Sequence, residues 1–187
     1  YANITEGNAL RLDWEGVVLK HELNYIMGNP PFVGASMMTK TQKDEAVAVF
    51  GKGKRVNSID YVGAWYHKAA ALMQGTNSRA AFVSTNSITQ GEQVAPLWNK
   101  LLNQYHVHID FAHRTFKWNS EAKEKAAVHC VIIGFSITRN TQPKYIYTNG
   151  VASQPANNIN PYLIDAPDVI ISSRSSALCA VPRMTKG

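Results

Sequence analysis

The chain has 187 residues, 45% apolar and 17% charged, and its 19 lysines and arginines exceed its 13 aspartates and glutamates to leave a formal charge of +6. That content fits one globular domain and excludes a disordered tail, while the longest apolar stretch, 126–135, is broken by His129 and too short to span a bilayer. Two cysteines, Cys130 and Cys179, exclude a disulfide framework, and no signal peptide or arginine-rich presequence is recognisable, so a reducing cytoplasm is expected, with room for a polyanionic partner.

Along the chain, Leu23-Asn24-Tyr25-Ile26-Met27 reads as a short apolar strand that stops at Gly28-Asn29-Pro30-Pro31. Two successive prolines lack amide donors, so they neither continue a central strand nor enter a helix interior. Thr41-Gln42-Lys43-Asp44 reads as a capping box, followed by apolar Ala46, Val47, Val49 and Phe50, with Gly51 as the stop. A basic loop then leads to a second helix, with Asp60 as its expected N-cap and Val62, Trp65, Tyr66, Ala69, Leu72 and Met73 on one apolar face. Residues 79–85 read as a buried strand. A third helix carries Val94, Leu97, Trp98, Leu101, Leu102 and Tyr105 at helical spacing. Residues 107–111 and 126–138 read as strands flanking a polar, aromatic-bearing loop at 113–125. No helix separates those two strands, so an antiparallel hairpin is open to them. The whole is an α/β pattern. Beyond Tyr147, residues 148–160 turn rich in Gly, Ser, Gln, Pro and Asn, as a linker or domain edge does, and 161–187 hold only short apolar pieces.

The chemistry concentrates at Gly28-Asn29-Pro30-Pro31-Phe32, at the carboxyl end of a strand, where open α/β sheets bind ligands. Asn29 offers an amide oxygen, Pro30 a backbone carbonyl on a rigid chain, and Phe32 a flat apolar face. Two acceptors and a stacking surface suit a planar aromatic amine such as adenine. The plain alternative is a proline-rich turn that ends a strand. His106, His108 and His113 lack further ligands at zinc-like spacing, so no metal site is expected. Gly-x-Ser-x-Gly and Pro-Cys are both absent, which argues against a hydrolase elbow and a cytosine-C5 nucleophile.

In order, Asn29-Pro30-Pro31-Phe32, Gly7-Asn8-Ala9-Leu10 upstream, the 60–68 helix, Phe82-Val83-Ser84-Thr85-Asn86, and Phe116-Lys117-Trp118 before 126–135 resemble the gamma class of S-adenosylmethionine-dependent adenine-N6 DNA methyltransferases. Residues 159–168 are similar to the segment leading into the target-recognition domain of fused, type IIG (MmeI-like) restriction-modification enzymes. The resemblance implies the C-terminal half of a Rossmann-like methyltransferase domain over 1–148, with parallel strands, helices and a closing antiparallel hairpin. Residues 149–187 would then be a linker and the start of the recognition domain. It implies methyl transfer from S-adenosylmethionine to adenine N6 in double-stranded DNA, with Asn29, Pro30, Pro31 and Phe32 catalytic and Asn8, Ala9 and Asn29 at the cofactor. Phe32 with Phe116 or Trp118 would wall the flipped base.

Lys52, Lys54 and Arg55 are candidate phosphate contacts, or a solvated basic loop. The family's glycine-rich cofactor turn is not found, and Ala9 stands where many relatives carry an aromatic. The chain is therefore expected to be a fragment of the catalytic half, inactive alone, with an exposed apolar edge at 23–27 that invites self-association. Two alternatives stand beside this reading: methylation of another planar amine or amide (an RNA base or a protein glutamine), and a non-catalytic DNA-binding or interaction fragment.

Overall fold

The computed structural model describes residues 2–51, 56–117, 129–139, 141–152, 155–174, 176 and 179–180. Strand β1, Tyr25–Gly28, is followed by helices α1, Lys40–Phe50, and α2, Gly63–Leu72, and by strand β2, Arg79–Thr85. Helix α3, Val94–Tyr105, precedes the long strands β3, His108–Lys117, and β4, His129–Ser136, and the short strands β5, Tyr145–Thr148, and β6, Val151–Ala152. Among the described residues no helix is long and apolar enough to cross a membrane.

Two helix starts differ from the sequence expectation. Helix α1 opens two residues earlier, on Thr39: its hydroxyl accepts from the Gln42 amide at 3.2 Å, and the Gln42 side chain accepts from the Thr39 amide at 3.0 Å. Thr39-x-x-Gln42 supplies the Glu/Gln partner that a box needs and Thr41-x-x-Asp44 does not. Helix α2 begins after Val62 with no side-chain cap, because Asp60 is drawn into a tertiary network instead.

The sheet runs β1-β2-β4-β3-β5-β6, with β1 parallel to β2, β3 parallel to β5, and β4 antiparallel to both β2 and β3. The expected reversed hairpin is therefore present. Alternation along β2 buries Ala80, Phe82 and Ser84 on the face that meets the helices. There Tyr66 of α2 stacks on Phe135 at 5.3 Å and meets Phe82 edge-on at 5.2 Å, with Trp98 of α3 alongside at 6.0 Å. On the other face Phe111 covers Gly134, so closely that a Cβ there would lie 2.0 Å from the ring. Strand β3 extends to Lys117, well into the stretch read as loop; register shifts at 109/111 and 113/116 break the two-residue alternation that marks a strand.

Part of the C-terminal stretch, around residues 156–163, lies against this sheet. Ile159 bridges to Ile109, Arg114 Nε donates to the Leu163 carbonyl at 3.0 Å, and Ile159 and Leu163 are buried. At the opposite edge β1 pairs only with β2 among the described strands, and Tyr25 and Met27 are 66% and 78% exposed.

Candidate active site

The β1–β2 ladder ends at the Gly28–Phe82 pair, since neither Pro30 nor Pro31 can donate to a neighbour. The chain turns there, leaving Asn29 exposed, Pro30 buried, Pro31 exposed and Phe32 half-buried. Among the described residues nothing hydrogen-bonds the Asn29 carboxamide, and the Pro30 carbonyl takes no backbone amide. Both residues line a cleft of about 720 Å³, within the range of small-molecule sites. Asn29, Pro30 and Pro31 form one wall of the cleft; Asn8, Ala9, Leu12 and Trp14 form another; Trp65 and Leu72 of α2 close it.

The 8–14 wall is a built structure. Asn8 Oδ1 accepts from the Leu10 amide at 2.9 Å, and its main-chain carbonyl accepts from Arg11 and Leu12, each at 2.9 Å. This turn is held from α1 by Glu45, which is buried and accepts from Asn8 Nδ2 at 3.1 Å, Arg11 Nε at 2.8 Å and the Tyr61 hydroxyl. The Tyr61 hydroxyl, helped by Arg11 and Asn8, keeps the Glu45 carboxyl below its ordinary pKa despite burial. Burial and the same carboxylate push the Tyr61 phenol up to about 12.

Trp14 donates its indole N–H to the Ala9 carbonyl at 2.7 Å, which sets the ring beside Ala9. Lys68 of α2 places its ammonium 5.2 Å from the Trp14 ring centre and donates to the Leu10 carbonyl at 2.8 Å and to that of Leu12. Burial lowers the Lys68 pKa.

The fold thus brings Asn8, Ala9, Asn29, Pro30 and Pro31 around one cleft. Phe32 and Phe116 do not line it. Phe116 sits near the carboxyl end of β3, opposite Cys130, and β3 runs in the same direction as β1, so it lies at the same rim of the sheet as the proline corner. Lys52, Lys54, Arg55 and Trp118 lie outside the described residues. Sequence reading missed Trp14, Lys68, Glu45 and Tyr61, and took Trp65 and Leu72 for core alone. A lone tryptophan in a charged loop, claimed by no apolar periodicity, was the available signal for Trp14.

A family model described as "MmeI, DNA-methyltransferase domain" matches residues 1–148. DNA methyltransferase A of Bacillus subtilis (strain 168) is 38% identical over 182 residues, covering 96% of this chain and 20% of that protein. The solved type IIL restriction-modification enzyme MmeI in complex with DNA aligns with a TM-score of 0.90 at 48% identity, over 96% of this chain and 25% of that one. A modification subunit of a putative type I restriction enzyme from Vibrio vulnificus YJ016 shares the fold, with a TM-score of 0.51 at 16% identity over 76% of this chain and 28% of that chain.

Proposed function

The chain belongs to the MmeI DNA-methyltransferase domain family, and from that premise we propose that it carries the methyl-acceptor corner and one wall of the donor cleft of a cytoplasmic, adenine-N6-specific DNA methyltransferase within a restriction-modification enzyme. The chain spans a fifth to a quarter of the relatives it matches, so the activity belongs to the protein that carries it. The observation behind the reading is a pair of acceptors unengaged among the described residues, Asn29 Oδ1 and Pro30 O, on residues that line a cleft with aromatic walls.

That cleft fits an adenosyl group: it is mainly apolar, is walled by Trp14 and Trp65, and has the Asn8 amide at its rim. S-adenosylmethionine supplies, when bound, an electrophilic methyl group on a sulfonium sulfur. Asn29 and Pro30 accept the two amino hydrogens of an extruded adenine, drawing the nitrogen lone pair out of ring conjugation and into line with that methyl. A corner of two imino acids fixes the backbone that carries both acceptors, so the Pro30 carbonyl is presented without reorganisation. The donor would supply the methyl group with its thioether as leaving group, and the surplus N6 proton would pass to solvent. Phe32 stacks on the base, with Phe116 or Trp118 as the opposite wall, while Lys52, Lys54 and Arg55 meet phosphates of the duplex. Residues 149–187 lead toward the target-recognition domain, and the open edge of β1 is a template for self-association.

Asn29→Ala in the full-length protein tests this reading. Methylation of duplex DNA is expected to vanish, with duplex affinity changed less than about twofold. Undiminished methylation refutes the acceptor role. Loss of duplex affinity in a protein that never methylates favours a binding module instead.

A further inference from the structure

Asp60 stands before α2, where the sequence pattern makes it a helix cap, yet its carboxylate leaves the helix. It is buried, at 5% exposure. One oxygen accepts from the Ala35 amide at 2.8 Å and from Gln93 Nε2 at 3.0 Å. The other accepts from Thr85 Oγ1 at 3.1 Å and from the Ser87 hydroxyl. The Asp60 amide donates in turn to Gln93 Oε1 at 2.8 Å, and the next amide, Tyr61, donates to the Val33 carbonyl at 3.0 Å.

These partners come from three pieces of chain. Val33 and Ala35 continue directly from the Asn29-Pro30-Pro31-Phe32 corner, Thr85 and Ser87 form the exit of β2, and Gln93 leads into α3. Both lobes of one side chain therefore tie the segment after the corner to the strand beside it. A recess bordered by Ala35, Asp60, Ser87 and Gln93 runs alongside; Val33 and Ala35 pack half-buried against the core, and the Asp60 carboxylate adds the directional ties. Asp60 does not line the donor cleft, and none of its hydrogen bonds goes to Asn29 or to the 8–14 wall.

We propose that Asp60 is a positioning residue for methyl transfer: it fixes the corner's exit so that the acceptor oxygens of Asn29 and Pro30 meet the amine in line. This rests on the assignment of that corner as the methyl-acceptor site. A reacting geometry loosened by an ångström loses about 100-fold in rate. The carboxylate itself does no proton transfer, so its charge is dispensable and its acceptor geometry is not. An asparagine keeps an oxygen for Ala35 and Gln93, and its amide donates to the Thr85 and Ser87 hydroxyls, which can rotate to accept.

The experiment is steady-state methylation of unmethylated phage DNA by the full-length protein, with cofactor affinity measured separately by titration with a non-reactive sulfonium analogue. Asp60→Ala is expected to lower kcat about 100-fold with analogue Kd changed less than about threefold, and Asp60→Asn to return kcat to within about fivefold of the parent. Ala35→Pro gives a second route that keeps Asp60 in place. Gly34 is extended, at φ −63° and ψ 149°, and Ala35 opens a helical turn, so proline fits the backbone while deleting one donor to Asp60. It should lower kcat at least about tenfold with the fold retained and the thermal midpoint lowered by no more than a few degrees.

Parent-like kcat in Asp60→Ala or Ala35→Pro overturns the proposal. So does a loss in Asp60→Asn as deep as in Asp60→Ala. Should Asp60→Ala fail to fold, Ala35→Pro decides alone. Asn29→Ala run in parallel separates the two failures: if it keeps activity the corner assignment falls, and if it loses activity while the Asp60 and Ala35 variants do not, only the Asp60 proposal falls.

Discussion

Removing Glu45 tests whether the 8–12 turn is held from α1 as the hydrogen bonds indicate. The Glu45–Tyr61 contact joins two buried groups, at 7% and 4% exposure, and a charge-assisted bond of that kind contributes about 1.5–3 kcal/mol. The Arg11 ion pair, at 2.7 Å, has its arginine 62% exposed, and solvent screening holds it under about 1 kcal/mol. The Asn8 bond, to an exposed residue, adds about 0.5 kcal/mol. Glu45→Ala is therefore expected to cost about 3 kcal/mol in urea unfolding, most of it from the buried Tyr61 hydroxyl left without an acceptor. A double-mutant cycle with Tyr61→Phe should return a coupling of about 1.5 kcal/mol or more, against less than about 1 kcal/mol with Arg11→Ala. Because the same turn walls the cleft, affinity for a non-reactive cofactor analogue should fall about tenfold, as expected for loss of one preorganised wall. A Glu45–Tyr61 coupling under about 0.5 kcal/mol, or a stability loss with unchanged analogue affinity, refutes the account.

Three other outcomes are fixed by the geometry. Gly134→Ala would set a Cβ 2.0 Å from the Phe111 ring and should destabilise by about 2 kcal/mol or more, relieved by Phe111→Leu; an unchanged urea midpoint contradicts the packing. His67, buried against Phe50 and Tyr105, has its pKa lowered to about 4, by burial first and by Lys100 second. Its folded pKa is depressed, so the stability it supports is complete above pH 6.5 and lost as pH falls toward 4. Between pH 7.5 and 4.5 the loss is on the order of 2–3 kcal/mol, and it should disappear from the pH profile of His67→Gln. The open β1 edge should make this chain self-associate when expressed alone, with Met27→Lys reducing the effect; a monomeric light-scattering mass with β1 amides in fast hydrogen exchange contradicts that.

What the sequence revealed follows the physics of each element. Strand β2 and helix α3 were legible to the residue, because each alternates one buried face with one open face over its full length. The proline corner was legible because imino acids end a ladder wherever they stand. The second half of β3 was not, since the bulge at 113/116 erases the period that would have announced it. Asp60 misled for a different reason. A carboxylate ahead of an apolar helical run satisfies the local rule for a cap, and only the approach of Ala35, Ser87 and Gln93 from elsewhere in the chain reveals what it binds. Lys68 was hidden likewise: a lysine inside a helix reads as solvated, whereas here it covers Trp14 and two carbonyls of the cleft wall.

The two sides of the cleft meet at consecutive residues. Asp60 holds the exit of the acceptor corner, and Tyr61 holds Glu45 and through it the Asn8–Arg11 turn. The Tyr61 amide reaches back to Val33, while its ring meets Trp65 edge-on at 5.1 Å, and Trp65 lines the cleft. Methyl transfer needs an acceptor nitrogen and a donor carbon aligned to within a fraction of an ångström, and two separately anchored walls would each add their own motion to that distance. Anchoring both on one peptide unit, itself packed into the α2 core through the fully buried Val62 and Ala64, removes most of that relative freedom. On the proposed reading, the short turn before α2 sets the span between donor and acceptor, although none of its atoms needs to touch either.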